Sequence, residues 1–161
     1  MIYIVIGQSG SGKTLFCKEN LIKPPYKVIE DITPITEGAN GAIAIGKYGI
    51  GRRCEGTDTL PYNAQGKIIE QIKKLSESGK DIVIEGDRAT SKRVIESIDE
   101  IFQTKKMYLV TCSIKTSMER LKKAGSEITE AFVKATKTKS RRMFLEYGER
   151  FNGEIINTEG K

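Results

Sequence analysis

The chain contains no histidine and no tryptophan, and it has only three cysteines and four prolines in 161 residues. Without histidine there is no imidazole for acid–base catalysis or metal ligation, so proton transfer falls to carboxylates, lysine, tyrosine or water. The cysteines, Cys17, Cys54 and Cys112, are odd in number and widely spaced. That argues against a disulfide framework or a zinc site and for a reducing cytoplasm. No apolar run approaches the roughly 20 residues of a membrane helix, and the opening run Ile2–Ile6 is too short and uncharged for a signal peptide. A cytoplasmic protein without a membrane partner is expected.

Apolar residues make up 38% of the chain and charged residues 30%, the balance of an ordinary soluble protein. The length suits one domain with a real core rather than two, so residues 1–161 are read as a single unit. Net charge is +6, and it is unevenly placed. Lys134, Lys137, Lys139, Arg141 and Arg142 fall within nine residues that include no acid. A nucleic-acid or polyphosphate partner would use such a stretch; the alternative is a solvated basic face.

Directly after the first apolar run comes Gly7-Gln8-Ser9-Gly10-Ser11-Gly12-Lys13-Thr14, which fits the phosphate-binding pattern G-x-x-x-x-G-K-[ST]. The chemistry explains the residue types. Backbone N–H groups from Gly7 through Thr14, Ser9, Gly10, Ser11 and Gly12 among them, wrap a phosphate chain at the start of a helix. Lys13 then reaches the β- and γ-phosphates and the Thr14 hydroxyl holds Mg²⁺, which implies ATP and Mg²⁺ as cofactors.

The remainder alternates. Strands are predicted at 2–6, at 27–31, at 42–46, at 81–85, at 107–112 and at 154–157. Helices are predicted at 14–22, 63–78, 91–102, 116–124 and, long and basic, 127–147. Such alternation predicts an α/β fold of the P-loop kinase type, a parallel sheet flanked by helices on both faces in three layers. Ligands then bind beyond the carboxyl ends of the strands, where the phosphate loop sits.

Asp81–Arg88 (DIVIEGDR) is an apolar strand ending in acids. Asp87 is the first choice and Glu85 the second for the carboxylate that organises Mg²⁺ or accepts the acceptor's proton. Arg88 stabilises transferred-phosphate charge or pairs with a neighbouring acid. A second candidate surface is the Gly- and Arg-rich connection Lys47 to Leu60. There Arg52 and Arg53 suit phosphates, and Asp58 suits a hydroxyl or a base edge, unless it serves as a turn residue. Tyr48 and Tyr62 flank this loop and are the aromatics placed to stack a base, the alternative being core packing. Asp31 is a distant third candidate base, or an Asx-turn residue.

Gly46-Lys47-Tyr48, Gly56-Thr57-Asp58-Thr59-Leu60 with Gln65, and Glu85-Gly86-Asp87-Arg88 recur in order with the phosphate loop. Gly125-Ser126, Phe132-Val133-Lys134 and Thr138-Lys139-Ser140-Arg141-Arg142 follow. Together these segments resemble the phage 5-hydroxymethyluracil DNA kinases, with departures at Pro61, Glu127 and Val133. The resemblance implies transfer of the ATP γ-phosphate to the 5-hydroxymethyl group of a modified uracil in DNA, a step in base hypermodification. With the residue readings above, Lys13, Asp87, Asp58 and Arg88 are the expected catalytic residues, with Thr14, Asp87 and Glu85 at the metal. Lys47, Tyr48, Thr57, Asp58, Lys134 and Lys139 would face the DNA, with Arg141, Arg142 or Lys139 on a lid over ATP around 127–147. A base inside duplex DNA is out of reach, so the target would be flipped or single-stranded. Two other readings stay open: a nucleoside or nucleoside monophosphate kinase, and a P-loop ATPase or DNA-binding switch.

Overall fold

The computed structural model describes residues 1–51, 55–88 and 90–161. The chain opens with β1 (Ile2–Ile6) and α1 (Lys13–Asn20). Three short strands follow, β2 (Lys27–Ile29), β3 (Ile35–Glu37) and β4 (Ile43–Ile45), and then α2 (Gln65–Ser76). The second half alternates β5 (Ile82–Glu85), α3 (Lys92–Ile101), β6 (Lys105–Thr111), α4 (Ile114–Lys123), α5 (Glu130–Tyr147) and β7 (Glu154–Asn157).

Among the described residues the strands form one sheet in the order β2-β3-β4-β5-β1-β6-β7. The run from β4 to β7 is parallel, as expected. The edge departs from that expectation, because β2 and β3 join by antiparallel pairing. Ile35–Glu37 was not legible as a strand, since three residues after Pro34 carry too little periodicity to register.

The pleat sorts the core. Ile2, Ile4 and Ile6 of β1, with Ile82 and Ile84 of β5, meet Ile68 and Ile72 of α2 and Val94, Ile95 and Ile98 of α3. Met143 and Tyr147 of α5 join the same face. Val5, Val83, Ala44 and Val110 point the other way, onto Cys17 of α1 and Leu21, Ile22 and Tyr48. Helices therefore cover both faces, as predicted. Each fully buried Ile contributes roughly 1.5–3 kcal/mol by leaving water.

Helix starts show how the sequence ends its loops. Ser91, Ser113 and Thr129 cap α3, α4 and α5, each accepting a backbone N–H three residues on. The start of α1 differs: its N-cap is Gly12, at φ 94°, with no side-chain cap. The first N–H groups of that helix are left for an outside acceptor, at the carboxyl end of β1. No helix among the described residues is long and apolar enough to cross a membrane.

Candidate active site

The loop between β1 and α1 is held from behind. Gly7 sits where a Cβ would come within 2.1 Å of the Val110 backbone oxygen, so only glycine lets the loop turn against β6. Gln8, wholly buried, donates to the Cys112 backbone oxygen at 2.7 Å and to Ser117 Oγ at 3.2 Å. Arg120 of α4 donates to the backbone oxygens of Gly10 and Ser11, both at 3.3 Å, and to Thr158 Oγ1 at 3.0 Å. On the α5 side, Ser9 N donates to Thr136 Oγ1 at 3.2 Å. Ser11 Oγ is buried without a hydrogen-bond partner, packed against Gly7. Lys13 folds over the loop and donates to the backbone oxygens of Gly7 (2.9 Å) and Gln8 (3.0 Å). An uncapped helix start and a lysine laid across the loop together fit a phosphate chain.

Glu85 ends β5 beside β1, in register with Val5. It alternates with Ile84 and so shares the face of Val83, the face covered by α1. There its Oε2 accepts the Thr14 hydroxyl at 3.1 Å, and its Oε1 accepts the Tyr48 hydroxyl. Burial pushes the Glu85 carboxyl up to about 7, against the lowering effects of Tyr48, Lys13 and Thr14. Among the described residues no three His, Cys, Asp or Glu side chains gather as a self-sufficient metal cage. The hydroxyl of Thr14 and the carboxylate of Glu85 are hard oxygen donors that fit Mg²⁺ shared with a nucleotide's phosphates.

Asp58 borders the same space, and Arg88 holds it from behind the turn. Asp58 lies in a 3-10 turn at Thr57–Thr59, and Arg88 Nη1 donates to its backbone oxygen at 2.8 Å and to Oδ1 at 3.3 Å. Burial raises the Asp58 carboxyl, and Lys13 and Arg88 pull it down. Arg88 also lies over the Tyr62 ring, 4.1 Å from its centroid, while Tyr62 is 86% exposed. Lys13, Thr14, Asp58, Glu85 and Arg120 border one cavity of about 270 Å³, lined also by Leu15, Leu121, Ala124 and Ile128.

The remaining sequence candidates separate. Asp87 is exposed and lines a narrow crevice with Lys13, Thr90, Lys139 and Ser140. Tyr48 is only 1% exposed, its ring set in the core against Tyr26, so it has no free face for a base. Thr57 is buried with its hydroxyl donated to the Glu85 backbone oxygen. Lys47 pairs with Glu30 at 3.5 Å and Lys134 with Glu130 at 3.2 Å. Arg141 and Arg142 are exposed and neither borders the phosphate-loop cavity. Arg142 instead lines a shallow groove with Lys92, Lys134 and Lys139. Asp31 lies away from the cleft, accepting from its neighbour Ile32 N at 2.9 Å and paired with Lys74 at 2.8 Å; Thr33 N, two residues on, donates to Gln71 Oε1 instead, so the Asx-turn alternative does not form either. Arg52 and Arg53 lie outside the described residues.

Sequence reading missed Arg120, Thr136 and Lys137. Arg120 is 110 residues from Gly10 and no motif marks it. Lys137, which donates to the Cys112 backbone oxygen at 2.8 Å, was seen only as one charge of a basic run.

No family model and no curated protein matches the sequence. Solved structures do match in shape. The deoxyadenosine kinase from M. mycoides with bound dATP is similar at a TM-score of 0.53 and 12% identity, over 100% of this chain and 93% of that one. The same enzyme with products dCMP and a flexible dCDP bound gives 0.50 and 11%, over 100% and 92%. At such identity the likeness speaks for architecture alone: this chain shares the α/β fold of those P-loop kinase structures.

Proposed function

We propose that this protein transfers the γ-phosphoryl group of ATP to a hydroxyl of a nucleoside-type acceptor. The observation that carries the reading is the shared cavity in which Lys13 and Thr14 face Glu85 and Asp58. A primary hydroxyl is a poor nucleophile and needs alignment plus a carboxylate to take its proton. Asp58 is the candidate base, ahead of the more exposed Asp87, because Arg88 fixes it within the field of Lys13. The acceptor oxygen bonds to the γ-phosphorus, its proton passes to Asp58, and the bond to the β,γ-bridging oxygen breaks to release ADP. Lys13 exchanges its two backbone carbonyls for phosphate oxygens and offsets the developing charge. Thr14 and Glu85 would hold Mg²⁺, which would supply positive charge against the phosphates. A nucleoside-type acceptor is supported by the likeness in fold to deoxyadenosine kinases.

A second reading places that acceptor inside DNA, as 5-hydroxymethyluracil. It is favoured by the exposed basic side of α5 and by Tyr62, whose outer face is bare. The test is transfer of labelled γ-phosphate to four acceptors: free deoxynucleosides, deoxynucleoside monophosphates, thymine DNA and DNA containing 5-hydroxymethyluracil. Label in a free deoxynucleoside or in the modified polymer alone establishes the kinase and chooses its acceptor. Label in monophosphates alone makes the acceptor a phosphate instead of a hydroxyl. Slow phosphate release with no labelled acceptor overturns the kinase and leaves an ATPase switch.

A further inference from the structure

Glu85 is gripped on three sides by the segment that the sequence suggests for substrate. The Tyr48 hydroxyl donates to Oε1, the Thr57 hydroxyl donates to the Glu85 backbone oxygen, and Gly56 lies against the side chain itself. A Cβ at Gly56 would stand 2.7 Å from Glu85 Cγ and 3.0 Å from Oε1, and the residue's φ of 69° is one that side chains rarely adopt. The fourth contact, Thr14 Oγ1 to Oε2, leads to the phosphate loop.

The grip is itself rigid. The Tyr48 ring packs in the cluster of Cys17, Ala44 and Val83, and its backbone N–H donates to Thr36 Oγ1 at 3.0 Å. Lys47 pairs with Gly56 across the connection, and Lys47 N donates to Thr59 Oγ1 at 3.0 Å. Tyr48 and Thr57 therefore approach Glu85 as one unit. A phenol holding Oε1 is neutral, so it orients the carboxylate without cancelling its charge, and Oε2 is left facing Thr14.

We propose that Tyr48 and Thr57 are positioning residues for the metal side of the site: they aim the Glu85 carboxylate at a cation shared with Thr14 and do not contact the acceptor. The inference rests on the phosphotransferase reading and gives the segments Lys47-Tyr48 and Gly56-Thr57 a task other than substrate contact.

The experiment measures Mn²⁺ binding by electron paramagnetic resonance in the presence of a non-hydrolysable ATP analogue, for wild type, Tyr48→Phe and Thr57→Val. Both substitutions keep volume, and thermal unfolding checks the fold. Loss of such an outer contact is expected to weaken Mn²⁺ about 10-fold or more. In turnover, the Mg²⁺ concentration for half-maximal rate rises by a similar factor, while the acceptor KM stays within about twofold and kcat recovers at high Mg²⁺. Unchanged Mn²⁺ affinity in a folded variant overturns the proposal. So does a raised acceptor KM with metal binding intact, which would return Tyr48 to substrate contact. Weakened Mn²⁺ in a protein whose wild type phosphorylates nothing sinks the kinase reading and leaves the cradle standing.

Discussion

One nitrogen of Arg88 serves both acceptor atoms of Asp58 that face it, the backbone oxygen at 2.8 Å and Oδ1 at 3.3 Å. That double contact fixes the carboxylate relative to the turn that carries it. If Asp58 takes the acceptor's proton, Asp58→Asn lowers kcat by roughly 10²–10⁴ and leaves the ATP KM near wild type. Arg88→Lys keeps a positive charge but loses the guanidinium nitrogen that makes both contacts with Asp58, so it falls between wild type and Asp58→Asn. Steady-state kinetics with the acceptor chosen by the labelling assay decides the matter. Full activity in Asp58→Asn together with loss in Asp87→Asn would transfer the role to Asp87.

The phosphate loop was legible because its chemistry is contiguous, eight residues carrying glycine, lysine and threonine at fixed offsets. The acids at the end of β5 were legible as a pair but not in their division of place. Strand alternation contained the missing signal: Glu85 shares a face with Val83, the α1 side, and Asp87 falls after the strand has ended at Glu85. Contacts of long sequence separation had no such signal. The Tyr48–Glu85 bond spans 37 residues and the Arg120–Gly10 bond 110, and neither partner announces the other in composition or period. The basic run of α5 shows the converse limit. Its charges were visible, but helical rotation separates Thr136 and Ser140, buried toward the sheet and loop, from the exposed Arg141 and Arg142.

Tyr62 offers a way to separate polymer from monomer. Arg88 covers one face of its ring, and the residue is otherwise open to solvent. A base next to the acceptor nucleotide in a strand would stack there, a contact worth about 1–3 kcal/mol. Tyr62→Ala is then expected to raise the KM for modified single-stranded DNA by about 5- to 150-fold, with kcat and the kinetics of a free nucleoside unchanged. Equal effects on both acceptors, or none on either, would remove Tyr62 from any strand-binding role.

Gly7 and Gly66 make a matched pair for stability. An alanine methyl at Gly7 would stand 2.1 Å from the Val110 backbone oxygen and 2.9 Å from Ser11 Oγ, and β6 is too constrained by its neighbours to retreat. Gly7→Ala is expected to cost at least about 2–3 kcal/mol through overpacking and backbone strain. Gly66, near the start of α2, has nothing within 4 Å of an added methyl. Its replacement by alanine should stabilise by about 0.5–1 kcal/mol, since the unfolded chain loses freedom that the helix never had. Urea unfolding of the two variants measures both values. A Gly7→Ala protein as stable as wild type would mean that the loop can leave β6.

Glu85 ties stability to pH in the metal-free protein. Its ordinary pKa is 4.5 and burial pushes it to about 7, so between those values the folded chain keeps a proton that the unfolded chain releases. The stability it contributes is therefore complete below about 4.5 and is lost as pH rises through 7, a change of about 3 kcal/mol. Glu85→Gln keeps the shape and removes the titration. Denaturant unfolding in EDTA from pH 4.5 to 8 should show wild type losing about 3 kcal/mol relative to Glu85→Gln across that window. Parallel curves for the two proteins would mean that Glu85 is solvated or already paired in the folded chain. Convergence of the two at neutral pH on adding Mg²⁺ and nucleotide is the expected counterpart, because a cation beside the carboxylate offsets the cost of its burial.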